Sequence, residues 1–89
     1  MANYMKVYSK KDLKNIDGVW YEYEKDKPVV NKANGVLRTI YPTYGAPQDE
    51  TPIENGVNNG VQKVFDSSGS LWYENTWKDG TLIKFRHIA

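Results

Sequence analysis

The sequence predicts an all-β protein, an antiparallel β-meander of stacked hairpins in a single curled sheet. Its apolar residues are largely aromatic or β-branched, with seven Tyr, three Trp and two Phe in 89 residues, and such side chains favour a pleated surface. Asp-Gly and Asn-Gly pairs recur along the chain, and these dipeptides are typical of tight hairpin turns. The chain has no Cys, so packing or contacts within an oligomer, rather than disulfides, must stabilise so small a domain.

Four of these dipeptides begin similar segments and divide the chain into units. In each segment a β-branched residue follows the glycine, and a large apolar residue lies six positions after the Asp or Asn. A spacing of about twenty residues is typical of repeat architectures. We therefore interpret residues 1–89 as one small domain with degenerate units at 17–33, 34–58, 59–78 and 79–89. The four dipeptides are Asp17-Gly18, Asn34-Gly35, Asn59-Gly60 and Asp79-Gly80.

The C-terminal part of the chain gives the clearest local prediction. It reads as a strand at 60–65, a turn in the sequence DSSG, a returning strand at 70–77 and a third strand after Asp79-Gly80. A type I′ turn matches the twist of the flanking strands and needs positive φ at both central residues. We therefore predict a three-stranded meander in which Gly80 has a positive φ.

The middle of the chain has a different composition. Residues 42–58 contain three prolines and an acidic cluster, and proline is confined to sheet edges and loops. We predict an inserted loop at 45–58, anchored only by Ile53 and Val57. Long loops in compact domains are usually either mobile or functional.

The N-terminal part predicts shorter elements. The sequence NYMKVY alternates as a first strand, and Ser9 and Asp12 are spaced as a capping box, which predicts one short helical turn near residues 10–15. After Asp17-Gly18 we expect a strand, then a charged turn at 24–27.

The stretch NGVQKVFDSSGSLWYENTWKDGTL resembles the bacterial variant of the MORN repeat. In that repeat an Asn-Gly or Asp-Gly pair precedes a strand, an aromatic residue, a D-x-x-G turn, a second strand and a further Lys-Asp-Gly or Lys-Asn-Gly. The resemblance is good over residues 59–83, weaker over 17–44, and absent over 1–16 and 46–58. The positions that match are Asn59, Gly60, Phe65, Asp66, Gly69, Trp77, Lys78, Asp79 and Gly80.

The resemblance implies a single curled sheet of stacked hairpins that serves as an interaction scaffold. Some bacterial members of that family are antitoxin or immunity components. No catalytic residue belongs to the repeat, so the resemblance implies no catalytic residue, cofactor or metal. The proline-rich insertion departs from the family and leaves open a different small β domain with the same turn chemistry.

Composition disfavours several functional classes. The formal net charge is +1 with acids and bases interspersed, whereas nucleic-acid-binding domains usually carry a clear basic excess. No apolar run approaches the ~20 residues of a membrane span, and residues 1–11 lack the apolar centre of a secretion signal. With no Cys to indicate an oxidising compartment, we expect a cytoplasmic protein.

Carboxylates are the first candidates for chemistry. Glu22 and Glu24 lie two apart on a predicted strand and so share a face, as a catalytic carboxylate pair does, but an exposed strand without a cleft favours a solvated face. The remaining acids lack calcium-loop spacing, and Asp66 is explained by its turn. These other acids are Asp49, Glu50, Glu54 and Asp66.

Basic residues and the single histidine give weaker signals. Four lysines near Tyr4 and Tyr8 combine charge with stacking surfaces, as single-stranded nucleic acid sites do, but we interpret them as a solvated segment. His87 is assigned no role. The four lysines are Lys6, Lys10, Lys11 and Lys14.

A binding surface is predicted on the last hairpin. A two-residue turn at Asp79-Gly80 places Trp77 opposite Leu82 and predicts Tyr73 opposite Arg86. Arg86 then covers the Tyr73 ring in a cation–π contact. We predict an exposed partner-binding stripe on this face and a core on the other, which holds Trp72, Thr76, Ile83 and Phe85. The stripe comprises Tyr73, Trp77, Leu82 and Arg86, extended by Tyr21 and Arg38.

The leading functional hypothesis is a non-catalytic module that binds another protein and blocks or stabilises it, such as an immunity or antitoxin protein. One alternative is a small phage or mobile-element inhibitor of a host defence system. Another is a carbohydrate-binding or hydrolytic domain that uses exposed Trp and acids. The oligomeric state is open, including a dimer through an edge strand.

Overall fold

The computed structural model describes residues 6–43 and 47–88 and confirms the all-β prediction. A 3₁₀ turn at Lys10–Asp12 is the one helical element of this part of the chain. The strands are β1 (Val7–Tyr8), β2 (Leu13–Ile16), β3 (Val19–Glu22), β4 (Gly35–Ile40), β5 (Pro47–Glu54), β6 (Val57–Asn58), β7 (Gly60–Phe65), β8 (Leu71–Lys78) and β9 (Thr81–His87).

The strands form two sheets rather than the single sheet expected. The larger sheet has the order β1-β4-β5-β7-β8-β9, and the short β6 also pairs with β5. All neighbours in it are antiparallel except β1, which lies parallel to β4. The hairpin β2–β3 forms the second sheet.

Three Asp-Gly or Asn-Gly pairs form type I′ hairpin turns. Two of them begin predicted units, and the third, Asn55-Gly56, does not. Both residues have positive φ at Asp17-Gly18 (52° and 85°), Asn55-Gly56 (50° and 82°) and Asp79-Gly80 (48° and 86°). The prediction for Gly80 is therefore confirmed. Neither Asn34 nor Asn59 has a positive φ, so their dipeptides do not form this turn. Asn59-Gly60 instead lies at the break between β6 and β7.

The loop predicted at 45–58 is wrong over most of its described length, and its residues 45 and 46 lie outside the described residues. Pro47–Glu54 forms β5, an eight-residue strand between β4 and β7. Pro47 is its first residue, where proline needs no ladder partner. Pro52 lies where β5 changes partner from β7, paired at Glu50, to β6, paired at Ile53. Its missing N–H therefore coincides with an interruption of the ladder.

The C-terminal meander is confirmed, with two irregularities that the sequence did not predict. Strands β7, β8 and β9 follow one another as antiparallel neighbours. A β-bulge makes Trp72 an extra residue opposite β7, and a second bulge makes Ile83 an extra residue opposite β8. Each bulge shifts the pairing beyond it by one residue.

The helical turn predicted near residues 10–15 is confirmed only over Lys10–Asp12, because Leu13–Ile16 forms β2. The Asp12 carboxylate accepts hydrogen bonds from the Ser9 N–H and hydroxyl, both at 2.9 Å, and this closes the 3₁₀ turn. The start of the predicted first strand, including Tyr4, lies outside the described residues.

The core lies at one end of the larger sheet. Five buried side chains form one cluster, and Trp20 of β3 packs against it. We call the sheet face that bears Leu37 and Ile53 the inner face, because the β2–β3 hairpin covers it there. Every residue of β9, at the other end, is exposed. The buried cluster consists of Tyr8, Leu13, Ala33, Leu37 and Ile53.

A ring of backbone hydrogen bonds fastens the two sheets together. Trp20 N–H donates to Gly56 O at 2.7 Å, Gly56 N–H donates to Ala33 O at 2.9 Å, and Ala33 N–H donates to Trp20 O at 2.9 Å. A Cβ on Gly56 would lie 2.5 Å from Val19 Cγ1 and 2.8 Å from Trp20 O. This turn thus requires glycine for close approach as well as for its φ.

Candidate functional site

Four rings on the β8–β9 hairpin lie in consecutive contact, and we call them the aromatic row. The ring centroids of Trp72 and Tyr73 are 5.2 Å apart, those of Tyr73 and Phe85 5.5 Å, and those of Phe85 and His87 6.4 Å. Trp72 is 44% and Phe85 58% exposed. Such spacings are favourable for aromatic pairs, so the row holds its shape while facing solvent.

The two bulges assemble this row. Adjacent residues of a regular strand face opposite sides, so a regular strand would hold Trp72 and Tyr73 on opposite faces. As the extra residue of a bulge, Trp72 instead brings its ring against Tyr73. The bulge at Ile83 moves Phe85 opposite Asn75 and His87 opposite Tyr73, which places both rings on the inner face.

The bulge at Ile83 also overturns the predicted contact between Arg86 and Tyr73. Arg86 lies opposite Glu74, and Glu74 and Tyr73 face opposite sides of β8. Arg86 is therefore on the outer face, away from the Tyr73 ring, and the predicted cation–π contact is wrong.

Trp77 and Leu82 are paired as predicted and share the inner face with Tyr73. Trp77 Nε1 donates to Gln62 Oε1 at 2.8 Å, and Asn75 Nδ2 donates to the same oxygen at 3.2 Å. Trp77 and Tyr73 are half-buried, while Leu82 is exposed. Of the four main stripe residues, Tyr73 thus belongs to the aromatic row, and Trp77 and Leu82 share its face.

The two predicted extensions of the stripe lie elsewhere. Tyr21 belongs to the second sheet, opposite Lys14 and bridged to Lys32. Arg38 lies on β4, and its guanidinium binds the Glu50 carboxylate at 2.7 Å. Neither contacts the aromatic row.

The predicted core of the C-terminal hairpins is wrong. Trp72, Ile83 and Phe85 are exposed, and Thr76 is only half-buried. The buried residue of this region is Val64 of β7, which lies opposite Tyr73 on the inner face. The face assigned to the partner is therefore continuous with the core face, but it is left uncovered at β8 and β9.

The outer face carries five charges in one cross-strand row, which we call the charge row. Successive members lie opposite one another on β4, β5, β7, β8 and β9, and their signs alternate. Opposite charges in directly paired positions stabilise a sheet modestly. The row is Arg38, Glu50, Lys63, Glu74 and Arg86.

A cleft of about 910 Å³ lies at the other end of the molecule, lined by the 3₁₀ turn, Trp20 and the inner face of β4 and β5. Burial raises the pKa of Asp49 in this cleft, while the nearby hydroxyls of Thr39 and Thr51 and the charge of Lys10 act in the opposite direction. The Thr39 hydroxyl is buried beside the Asp49 carboxylate. The cleft thus combines an indole with polar groups that a ligand can bind.

The other candidate acids have structural partners. Glu22 accepts hydrogen bonds from Lys6 Nζ at 2.8 Å and from the Tyr8 hydroxyl at 2.6 Å; these bonds, Lys6 first, lower the pKa of Glu22. Glu24 pairs with Lys27 at 2.7 Å, where both side chains are exposed. Each carboxylate has its own partner, and nothing in this geometry forms an acid–base pair.

The DSSG turn explains Asp66. Its carboxylate accepts the Ser68 hydroxyl at 2.6 Å and the Ser68 and Ser70 N–H groups at 2.9 and 3.0 Å. These bonds, that of the Ser68 hydroxyl first, lower the pKa of Asp66. The carboxylate holds a backbone turn.

The predicted basic cluster is dispersed. Lys6 is paired with Glu22, and Lys14 Nζ lies 5.9 Å from the centroid of the Tyr23 ring. Lys10 and Lys11 line the cleft. The described lysines do not form one stacking platform.

Comparison of the chain with protein-family models, curated proteins and solved structures found no match. Over residues 6–43 and 47–88, no cluster of three or more His, Asp or Glu side chains is placed to hold a metal ion. The same residues include no helix of the length and apolar character needed to cross a bilayer.

Sequence reasoning predicted the common face of Tyr73, Trp77 and Leu82 but missed the aromatic row, in which Tyr73 contacts Trp72 and Phe85, and Phe85 contacts His87. The bulges that assemble it occur at Trp72 and Ile83, where no glycine or other turn residue marks an irregularity. The Asp49 cleft was missed because β5 was interpreted as a loop.

Proposed function

We propose that this protein is a non-catalytic module that binds another protein through the aromatic row and the adjoining Leu82. The observation that supports this is the exposure of contiguous rings at an uncovered end of the sheet. Aromatic side chains supply much of the energy of protein interfaces. They also lose little conformational freedom on binding.

The partner is expected to be blocked or stabilised on binding, as an immunity or antitoxin protein acts on its target. The resemblance of residues 59–83 to MORN-variant repeats favours this role over other binding roles. A small inhibitor of a host defence system would use the same surface. In either case the protein acts by remaining bound to its partner, so one molecule of the protein is needed for each partner molecule.

The test compares variants as baits in extracts of the cell that encodes the protein. We expect one protein to bind the wild type and to bind Phe85→Ala and Leu82→Ala at least about tenfold more weakly, a loss of ~1.4 kcal/mol or more. Val30→Ala, at a 68% exposed position outside the strands, is the matched control. The interaction must then be reproduced with purified partner.

The proposal fails if the partner binds both hairpin variants as tightly as it binds the wild type. Unfolding curves show whether a variant loses binding only because it no longer folds. Truncating an exposed side chain should leave the melting temperature within a few degrees of the wild type.

A second candidate function, binding of a small carbohydrate, is favoured by one observation, the cleft beside Trp20. Sugars stack on indole rings, and the Asp49 carboxylate and the Thr39 hydroxyl can bind sugar hydroxyls. A glycan array followed by calorimetry tests it. Binding that is lost in Asp49→Ala but retained in Phe85→Ala supports this candidate, and the absence of any glycan ligand rejects it.

A further inference from the structure

Strand β9 presents a long unpaired edge. It hydrogen-bonds to β8 on one side, and within residues 6–43 and 47–88 no strand pairs with its other side. Its seven residues span about 23 Å at ~3.3 Å per residue. The opposite edge of the sheet is formed by β1, which has only two residues. Long exposed edges are usually blocked in natural proteins, because they can pair with another strand.

The pairing with β8 determines which backbone groups face this edge. Ile88 N–H donates to Trp72 O at 2.9 Å, so the alternation of antiparallel hydrogen bonds directs the backbone groups of Lys84 and Arg86 toward β8. The N–H and C=O groups of Phe85 and His87 therefore point away from the sheet. An incoming strand would bond these two residues.

The outer face of the edge is basic. Arg86 is the last member of the charge row at the β9 edge, and Arg38 is the last member at the other end. Each of the three members between them lies opposite a residue of the other sign on both neighbouring strands. Lys84 lies two residues away on the same face, opposite the uncharged Thr76. Among the described residues neither Arg86 nor Lys84 forms an ion pair. A carboxylate on an added strand would continue the alternation beyond Arg86.

The inner face of the edge is aromatic. Phe85 and His87 end the aromatic row there, and the Phe85 side chain is 58% exposed although its ring contacts both Tyr73 and His87. Side chains alternate between the faces of a strand. A complementary strand therefore needs acidic residues at alternate positions and apolar residues between them.

We propose that the free edge of β9 binds an extended segment of a partner protein in which acidic and apolar residues alternate. The segment adds a strand to the sheet by bonding the backbone of Phe85 and His87, its acids face Arg86 and Lys84, and its apolar side chains cover Phe85. This inference rests on the proposed function and specifies the kind of segment recognised.

A second copy of this chain is a poorer occupant of the edge. Antiparallel pairing of two β9 strands centred on Lys84, Phe85 or Arg86 brings cations of the two copies opposite one another. Like charges in paired positions destabilise a sheet. The cations that oppose self-pairing are the ones that favour an acidic strand.

The test uses the full chain and three capped heptapeptides. The probe is Glu-Val-Glu-Phe-Glu-Val-Glu, the charge control replaces each Glu with Lys, and the pattern control has the probe composition in the order Glu-Glu-Glu-Glu-Val-Phe-Val. We expect only the probe to slow hydrogen exchange at the amides of Phe85 and His87. The two controls should bind at least about tenfold more weakly.

Two variants separate strand addition from docking on the ring faces. His87→Pro removes an outward N–H while keeping the bonds to β8, as proline is tolerated at a free edge, and it should abolish probe binding. Its control is His87→Ala, which loses the same ring of the aromatic row but keeps this N–H, and which should still bind the probe. Arg86→Glu with Lys84→Glu should reverse the preference toward the Lys peptide. Lys25→Glu, an exposed position in the turn after β3, is the matched charge control and should bind as the wild type does.

Three results would overturn the inference. One is that the probe fails to protect the amides of Phe85 and His87 from exchange. Another is that the Lys peptide binds as tightly as the probe. The third is a concentration-dependent dimer that protects these amides without peptide. If His87→Pro retains the cellular partner while Phe85→Ala loses it, strand addition is rejected and the proposed function stands. If neither variant affects the partner, both fail.

Discussion

The carboxyl groups of Asp49 and Asp66 lie in opposite environments, and their effects on stability should have opposite signs. Burial raises the pKa of Asp49, so its charged form is less favourable in the folded chain than in the unfolded one. Hydrogen bonds lower the pKa of Asp66, so its charged form is more favourable when folded. Linkage converts these directions into a dependence of stability on pH.

Asp49→Asn should stabilise the protein at pH 7. The cost of the buried charge is present above the raised folded pKa, decreases as the pH falls through it, and is absent below the ordinary Asp pKa of about 3.9. The variant should therefore have the higher melting temperature at pH 7 and no advantage near pH 3. Thermal unfolding at several pH values measures this, and a lower melting temperature at pH 7 would contradict it.

Asp66→Asn serves as the comparison and should destabilise at pH 7. The contribution of Asp66 is present above the ordinary Asp pKa and is lost as the pH falls through the lowered folded value. The difference in melting temperature from wild type should thus shrink at acidic pH for both variants. It is negative for Asp66→Asn and positive for Asp49→Asn.

At the scale of elements, the three type I′ turns offer a graded experiment. Gly18 and Gly56 have nearly the same φ, 85° and 82°, so an added Cβ causes similar backbone strain at both. At Gly18 that Cβ would meet nothing within 4 Å, whereas at Gly56 it would lie 2.8 Å from Trp20 O. The difference between the two positions isolates the close approach between the sheets.

We expect Gly18→Ala to cost about 1 kcal/mol of unfolding free energy, the strain of a left-handed Ala. Gly56→Ala should cost more than about 2 kcal/mol, since crowding adds to the strain. Chemical denaturation of both variants measures the difference. Equal costs would show that the ring of bonds through Gly56 adjusts without penalty.

How far the elements follow from sequence depends on whether the deciding signal is local. Local sequence determines the turns with positive φ at Asp17-Gly18 and Asp79-Gly80. It also determines the strands of the C-terminal meander. Asn55-Gly56 carries the same signal, but the nearby prolines indicated a loop, and only the ladder break at Pro52 reconciles proline with a strand. The bulges at Trp72 and Ile83 have no local signal at all, so the face of Arg86 could not be predicted.

At the scale of the whole molecule, stability should decline across the larger sheet. All five members of the buried cluster lie in or beside β1, β2, β4 and β5, whereas β9 contributes no buried residue. Regions with few buried contacts open at lower free energy than the core. The sheet is therefore firmest at the cleft end and loosest at the aromatic row.

Hydrogen exchange should reveal this gradient. We expect the amides of β5 that bond to neighbouring strands to be among the slowest, and those of β9 to exchange faster by an order of magnitude or more. The same amides test the strand at Pro47–Glu54, because a mobile loop there would exchange quickly. Uniform protection across the sheet would contradict the gradient.

Substitutions provide an independent measure of the gradient. Ile53→Ala removes a buried side chain and should lower the free energy of unfolding by about 2–5 kcal/mol, the usual range for such truncations. Phe85→Ala removes an exposed ring and should cost less than about 1 kcal/mol. The opposite ranking would mean that the β8–β9 hairpin, and not the cluster at β4 and β5, holds the core.

The bonds among Trp20, Ala33 and Gly56 also bear on the order in which the chain folds. They join three segments that are distant in sequence, so forming them requires two long loops to close together, and loop closure is entropically costly before its contacts form. The hairpins of β7, β8 and β9 need only short loops. The C-terminal meander should therefore form early and serve as a template, with the N-terminal hairpin docking last. On this view Gly56→Ala accelerates unfolding more than it slows folding, since its contacts are absent from the transition state.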